Sequence, residues 1–179
     1  MSRQDVTLTG RERTFPSDEI IVSKTDPQGR ITYANDVFLD VSGYTEEEIL
    51  GQPHSIIRHP AMPRCVFKLL WDTISAGDEI FAYVNNRAKC GDNYWVLAHV
   101  TPNRDVKTGT IVGYHSSRRA PKKAAIQAVE PIYQKLLAEE QRHSDRKVGM
   151  QAGFQMMLDL IKASGFDNYH QFIFSVINS

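Results

Sequence analysis

The chain has 179 residues, 41% of them hydrophobic, and its 21 lysines and arginines balance 21 aspartates and glutamates. That size allows one ordinary core with chain to spare, and the charge balance gives no electrostatic case for nucleic acid or an anionic membrane surface as a partner. Two cysteines, Cys65 and Cys90, make neither a disulfide framework nor a zinc site, and their scarcity fits a reducing compartment. The opening MSRQDVTLTGRER has no apolar core of a signal peptide, and no apolar run approaches the roughly 20 residues of a membrane span. The expectation is a soluble, cytoplasmic protein with no membrane insertion.

In chain order, IIVSK (Ile20 to Lys24) is rich in β-branched residues, DPQG (Asp26 to Gly29) has turn chemistry, and RITYAN follows; together they predict a hairpin. In NDVFLDVSGY the apolar Val37, Phe38 and Val41 recur at helical spacing, and Gly43 can stop the helix. TEEEIL opens with a capping box, Thr45 to Glu48, and Gly51 closes that short helix. Pro63 suits the first position of a longer helix that ends at Gly77, with Phe67, Leu70, Trp71 and Ile74 on one face.

The period then changes. IFAYVNNRAK and NYWVLAHVTP alternate and are joined by CGD, and GTIVGYHSSRR is a third strand reached through the polar NRDVKTG. The order β-β-α-α-α-β-β-β predicts an antiparallel sheet with helices on one face, an α+β fold.

From Pro121 the composition turns helical: KKAAIQAVEPIYQKLLAEEQR, with Pro131 as a break or kink, then SDRKVGMQAGFQMMLDLIKASG, then FDNYHQFIFSVI. The second of these carries Met150, Phe154, Met157, Leu158 and Ile161 on one face, with Ser144 as cap and Gly165 as stop; the third carries Phe166, Tyr169, Ile173 and Val176. The chain therefore divides into an N-terminal segment, 1–19, a domain, 20–120, and a C-terminal helical extension, 121–179.

One run stands out before the long helix: HSIIRHPAMP, with Arg58 and His59 followed by two prolines. An arginine beside a helix end often serves only its carbonyls, and the histidine can be an ordinary half-exposed one. Asn35 precedes a helix and suits an N-cap. Asn86 in its alternating strand reads as solvent-facing. Phe67 and Trp71, one turn apart, are either plain core or a wall for a flat ring, and Trp95 reads as core or interface.

ITYANDVFLDVSGYTEEEILGQPHSIIRHPAMP, then LLWDTISAGD, then NNRAKCGDNYWVLAHVTP together resemble a Per-Arnt-Sim (PAS) sensor domain, of the type found in bacterial aerotaxis receptors. The resemblance covers about two thirds of the chain. It implies a five-stranded antiparallel sheet with short helices over a cofactor cleft, and FAD as the cofactor. It implies flavin-binding roles for Asn35, Arg58, His59 and Asn86: a guanidinium fork and an imidazole suit a pyrophosphate, and a carboxamide can donate or accept at a flavin edge. Phe67 and Trp71 would then wall the ring. The membrane, HAMP and kinase-control parts of an aerotaxis receptor have no counterpart in the tail.

Two positions depart from the pattern. Ala61 stands where the motif usually has an acid, and Ile80 where it usually has a tryptophan, which bears on flavin affinity and redox tuning. His54 stands where light-oxygen-voltage domains carry their adduct-forming cysteine, so a cysteinyl photoadduct is not expected. The function implied is a non-enzymatic redox or oxygen sensor in signal transduction, with no catalytic residues and no metal ligands. Its C-terminal helices would serve as output or as a homodimer contact, and its signalling partner is unidentified. The alternatives are a haem-binding gas sensor using one of His54, His59, His99 or His115, a cofactor-free interaction module, a flavin photosensor without adduct, and, furthest off, a flavoenzyme.

Overall fold

At Asp26–Gly29 the chain reverses as its turn residues dictate. The Asp26 carboxylate accepts from the backbone N–H groups of Gln28 and Arg30 at 2.9 and 2.8 Å, and Gly29 takes a positive φ of 79° that a side chain would resist. In the computed structural model, which describes residues 6–179, this turn joins β1 (Ile21–Thr25) to β2 (Ile31–Ala34). Three short helical segments follow: α1 (Asp36–Ser42), α2 (Glu46–Ile49) and a 3-10 turn over His54–Ile57. Then come α3 (Arg64–Ala76) and three long strands, β3 (Ile80–Arg87), β4 (Asn93–Arg104) and β5 (Ile111–Arg119). The five strands form one sheet in the order β2-β1-β5-β4-β3, and every pairing is antiparallel. The expected α+β class and element order are present. The 3-10 turn was not foreseen, because HSII has no cap and its apolar pair reads equally well as loop.

The helix ends follow their sequence signals. Gly43 ends α1 in the left-handed region at φ 73°. Thr45 and Glu48 make both bonds of the capping box on α2.

The described chain clusters into two compact units, residues 6–59 with 74–121, and residues 60–73 with 122–179. In the first, the N-terminal segment is tied to the β3–β4 hairpin. Glu12 bridges Asn93 in parallel, and the backbones of Arg11 and Arg13 exchange bonds with Asn93 at 2.9 and 2.7 Å. Asp92, 4% exposed, accepts from Thr9 Oγ1 at 2.5 Å and from Arg13 Nε at 3.1 Å. Those two bonds hold its carboxyl well below the usual carboxylate range.

The second unit is helical: α4 (Lys123–Gln141), α5 (Arg146–Ala163), α6 (Tyr169–Asn178) and the first turns of α3. The buried Glu140 carboxylate accepts from the backbone N–H groups of Arg64 and Cys65 at 2.9 and 2.7 Å. It thereby caps α3 from 75 residues away. Pro131 does not break α4. It is exposed, so the bond it cannot donate falls on a turn where water can take the Gln127 carbonyl. The α5 cap is Asp145, whose carboxylate accepts from Lys147 and Val148, in place of the expected Ser144. The buried face of α5 is Gly149, Gly153, Met157 and Ile161, in place of the stripe through Met150, Phe154 and Leu158. The glycines decide this: a Cβ at Gly149 would lie 2.3 Å from the Glu140 carbonyl oxygen, and one at Gly153 would lie 2.8 Å from Glu140 Cγ. Close helix approach needs the small face inside. Phe154, displaced outward, takes the Lys68 ammonium over its ring at 4.9 Å.

Candidate functional site

Strand alternation puts one set of side chains on a common face of the sheet. Across it, Asn86 pairs with Tyr94, Val84 with Val96 and Ala82 with Ala98. Ala98 pairs in turn with Arg118, and Val100 with Ser116; Arg118 and Ser116 pair with Ile21 and Ser23 of β1. All of these are buried, and the centre is small: Ala82, Ala98, Ser116 and Ser23. Phe38 of α1 and His54 of the 3-10 turn reach the same face. The Phe38 ring lies 5.3 Å from the Arg118 guanidinium carbon, and the Phe38 and His54 rings meet edge-on at 6.3 Å.

Arg118 is the dominant charge here. It is 2% exposed. Its Nη2 donates to Ser23 Oγ at 2.5 Å and to His54 Nε2 at 2.7 Å. Burial pulls its pKa down to about 10, so it stays cationic at neutral pH. His54 is pulled down to about 3, first by burial and then by the Arg118 charge. A neutral imidazole accepting at Nε2 fits both observations. Nη1 of Arg118 and the hydroxyl of Tyr94 are buried with no hydrogen-bond partner, and burial pushes the Tyr94 phenol up.

Four of the six residues expected to meet a cofactor lie in this unit. Arg58 ends the 3-10 turn and pairs backbone to backbone with Asn86 on β3, so the structure brings those two together. Asn86 is 4% exposed, which replaces the solvent-facing reading of that strand position. His59 follows Arg58, half-buried; burial and then the charge of Arg87 lower its pKa, leaving a neutral ring. Asn35 is an N-cap as its position suggested. Its Oδ1 accepts from Phe38 N at 3.1 Å and Val22 N at 2.9 Å, and its Nδ2 donates to Ile20 O at 2.8 Å. That fastens α1 to β1. Phe67 and Trp71 lie on α3 in the other unit, both half-buried. Trp95 pairs with Asn85 on the opposite face of the sheet and is buried there. Ile80 is buried at the start of β3, and Ala61 is exposed ahead of α3.

Arg118 and Tyr94 were missed in the sequence. The Arg118–Arg119 pair gives no hint of which residue points inward. The available signal was parity: Arg118 shares a face with Tyr114 and Ser116, and Arg119 with His115 and Ser117.

Residues 31–117 match the family model described as the PAS fold. The sheet order, the short helices and this polar inner face define that class of sensor module, and the chain belongs to the PAS family. Within it the chain is of the aerotaxis-receptor type: it is 44% identical over 131 residues, 73% of its length, to the aerotaxis receptor of Escherichia coli K12. It is 32% identical over 101 residues to Phototropin-1A of Oryza sativa subsp. japonica. The chain spans 26% of the first relative's length and 10% of the second's. Among solved structures, the light state of the blue-light photoreceptor Aureochrome1 LOV superposes with a TM-score of 0.52 at 30% identity, covering 69% of this chain and 91% of that one. No helix among the described residues is long and apolar enough to cross a membrane.

Proposed function

We propose that the chain is a flavin-binding PAS sensor that holds FAD, responds to redox state or oxygen, and signals by binding rather than by catalysis. The observation that carries this reading is the bridge between Arg58 and Asn86, with His59 beside it. It sets the backbone of a residue with a phosphate-type donor beside that of a residue with a carboxamide, on the buried sheet face of an aerotaxis-type domain. The site suits a flavin on its own chemistry as well. The inner face combines small central side chains with buried donors that have no protein acceptor, and a flavin ring is flat with carbonyl acceptors along one edge. When bound, flavin supplies reversible acceptance of electrons. Arg58 and the neutral His59 are assigned to the pyrophosphate. The Asn86 carboxamide, able to turn either end toward the ring, is assigned to reporting the ring's protonation into β3. Asn35 contributes by fixing α1.

Histidine geometry supports flavin over haem. His99 lies on the opposite face, 2.7 Å from Glu79 and stacked on Phe81, and His115 shares that face by strand parity. On the inner face His54 is already bonded to a guanidinium. The likeness to blue-light photoreceptors supports a second reading, a light sensor with the same cofactor. His54 leaves no thiol at the position where the adduct would form, so illumination is expected to give no cysteinyl adduct in either the parent or a Cys65→Ala variant.

The test is the visible spectrum of the purified protein and the mass of the cofactor released by heat. A flavin spectrum with FAD released supports the reading, and Arg58→Ala is expected to lose most of that FAD while staying folded. A Soret band, or a colourless protein that takes up no added FAD, would overturn it.

A further inference from the structure

We propose that Arg118 and Tyr94 are ligand contacts, their unpartnered N–H and O–H donors gripping the carbonyl-bearing pyrimidine edge of the cofactor ring. This rests on the flavin reading above and assigns two residues to it that the sequence did not single out.

A core built for packing alone would contain neither of these polar groups. A guanidinium that is 2% exposed, with no carboxylate paired to it among the described residues, is an expensive group to bury. Its compensation is partial: two bonds through Nη2 to neutral acceptors and the face of Phe38. Nη1 has no partner. A methionine would fill similar space at lower cost. Tyr94 repeats the pattern. It is fully buried, its hydroxyl is unpaired, and phenylalanine would serve packing better. Two such violations in separate parts of a core would be unrelated defects. These two share one face: Tyr94 lies four residues along β4 from Ala98, the pairing partner of Arg118, a span of roughly 13 Å. Arg118 holds Ser23 and His54 through Nη2, which leaves Nη1 as its open donor on that face, and the Arg118 charge acts on the Tyr94 phenol. That one face therefore carries two buried donors without an acceptor. A ligand presenting acceptors completes both, and a cation fits an electron-rich carbonyl edge better than any neutral donor does.

The experiment titrates cofactor-free protein with FAD and, separately, with lumiflavin, which has the ring without the phosphates. The wild type is expected to bind both. Arg118→Met should weaken both by about tenfold to a hundredfold, the loss of one charged hydrogen bond. Tyr94→Phe should weaken both by about tenfold, and Arg58→Ala should weaken FAD alone. Cofactor-free Arg118→Met should melt no lower than the cofactor-free wild type, which a purely structural arginine would not allow. If Arg118→Met fails to fold, the near-isosteric Tyr94→Phe decides by itself. A wild type that binds neither compound overturns the flavin reading and this assignment with it. A wild type that binds both, with variants that bind lumiflavin equally well, overturns the assignment of Arg118 and Tyr94 alone.

Discussion

His54 has a pKa of about 3 in the folded chain against about 6.5 in an unfolded one. The folded state therefore binds fewer protons than the unfolded state between those values, and stability falls as pH drops from about 6.5 toward 3. Thermal melts between pH 7 and pH 4 are expected to show a shallower loss for His54→Gln than for the wild type. Equal slopes would mean that burial beside the Arg118 charge does not hold the ring neutral. At this scale the sequence was uneven. Asn35 was legible as a cap because its job is local: the N–H it serves at Phe38 is three residues away. Asn86 looked exposed and Arg118 was invisible. Their burial depends on which strand lies beside theirs, and an isolated strand pattern does not contain that.

Elements are held by carboxylates that reach across long sequence distances. Glu140→Gln should destabilise the helical unit by about 1–3 kcal/mol. The amide keeps one acceptor and turns its NH2 toward an α3 N–H that needs the other. Gly149→Ala should cost about as much through overpacking, because its Cβ would meet the Glu140 backbone oxygen, not a movable side chain. Urea melts of both variants measure this, and a neutral Gly149→Ala would show that α5 packs elsewhere. Asp92 works the same way on the N-terminal segment. Its depressed pKa means that the stability it contributes is present above about pH 4 and is lost as the medium becomes more acid. Asp92→Asn should therefore melt lower than the wild type at pH 7 and converge with it in acid. The apolar stripe along α5 holds at Met157 and Ile161 and fails at Met150, Phe154 and Leu158 for a related reason. Periodicity ranks Phe154 and Met150 as core and glycine as nothing, but close helix packing selects the smallest face.

For the whole molecule, the sequence displayed the order of strands and helices because each has its own period and punctuation. It could not display that residues 60–73 cluster with 122–179, since bonds between those stretches join positions 75 and 76 apart. The proposed homodimer now has a smaller surface to use. Ile173 and Val176 are buried within the single chain, leaving a shallow groove lined by Ala152, Met156, Leu160 and Glu139. Sedimentation at micromolar concentration should show a dimer, and Met156→Lys with Leu160→Lys should return it to monomer; a double variant that still dimerises places the contact elsewhere. The partly compensated guanidinium in the sheet has a consequence beyond recognition. A cofactor that completes it stabilises only the folded state, by about 2.7 kcal/mol at a free concentration a hundred times Kd. Chains made faster than their cofactor would spend more time open to proteases, so the amount of sensor in a cell would follow the supply of what it senses with.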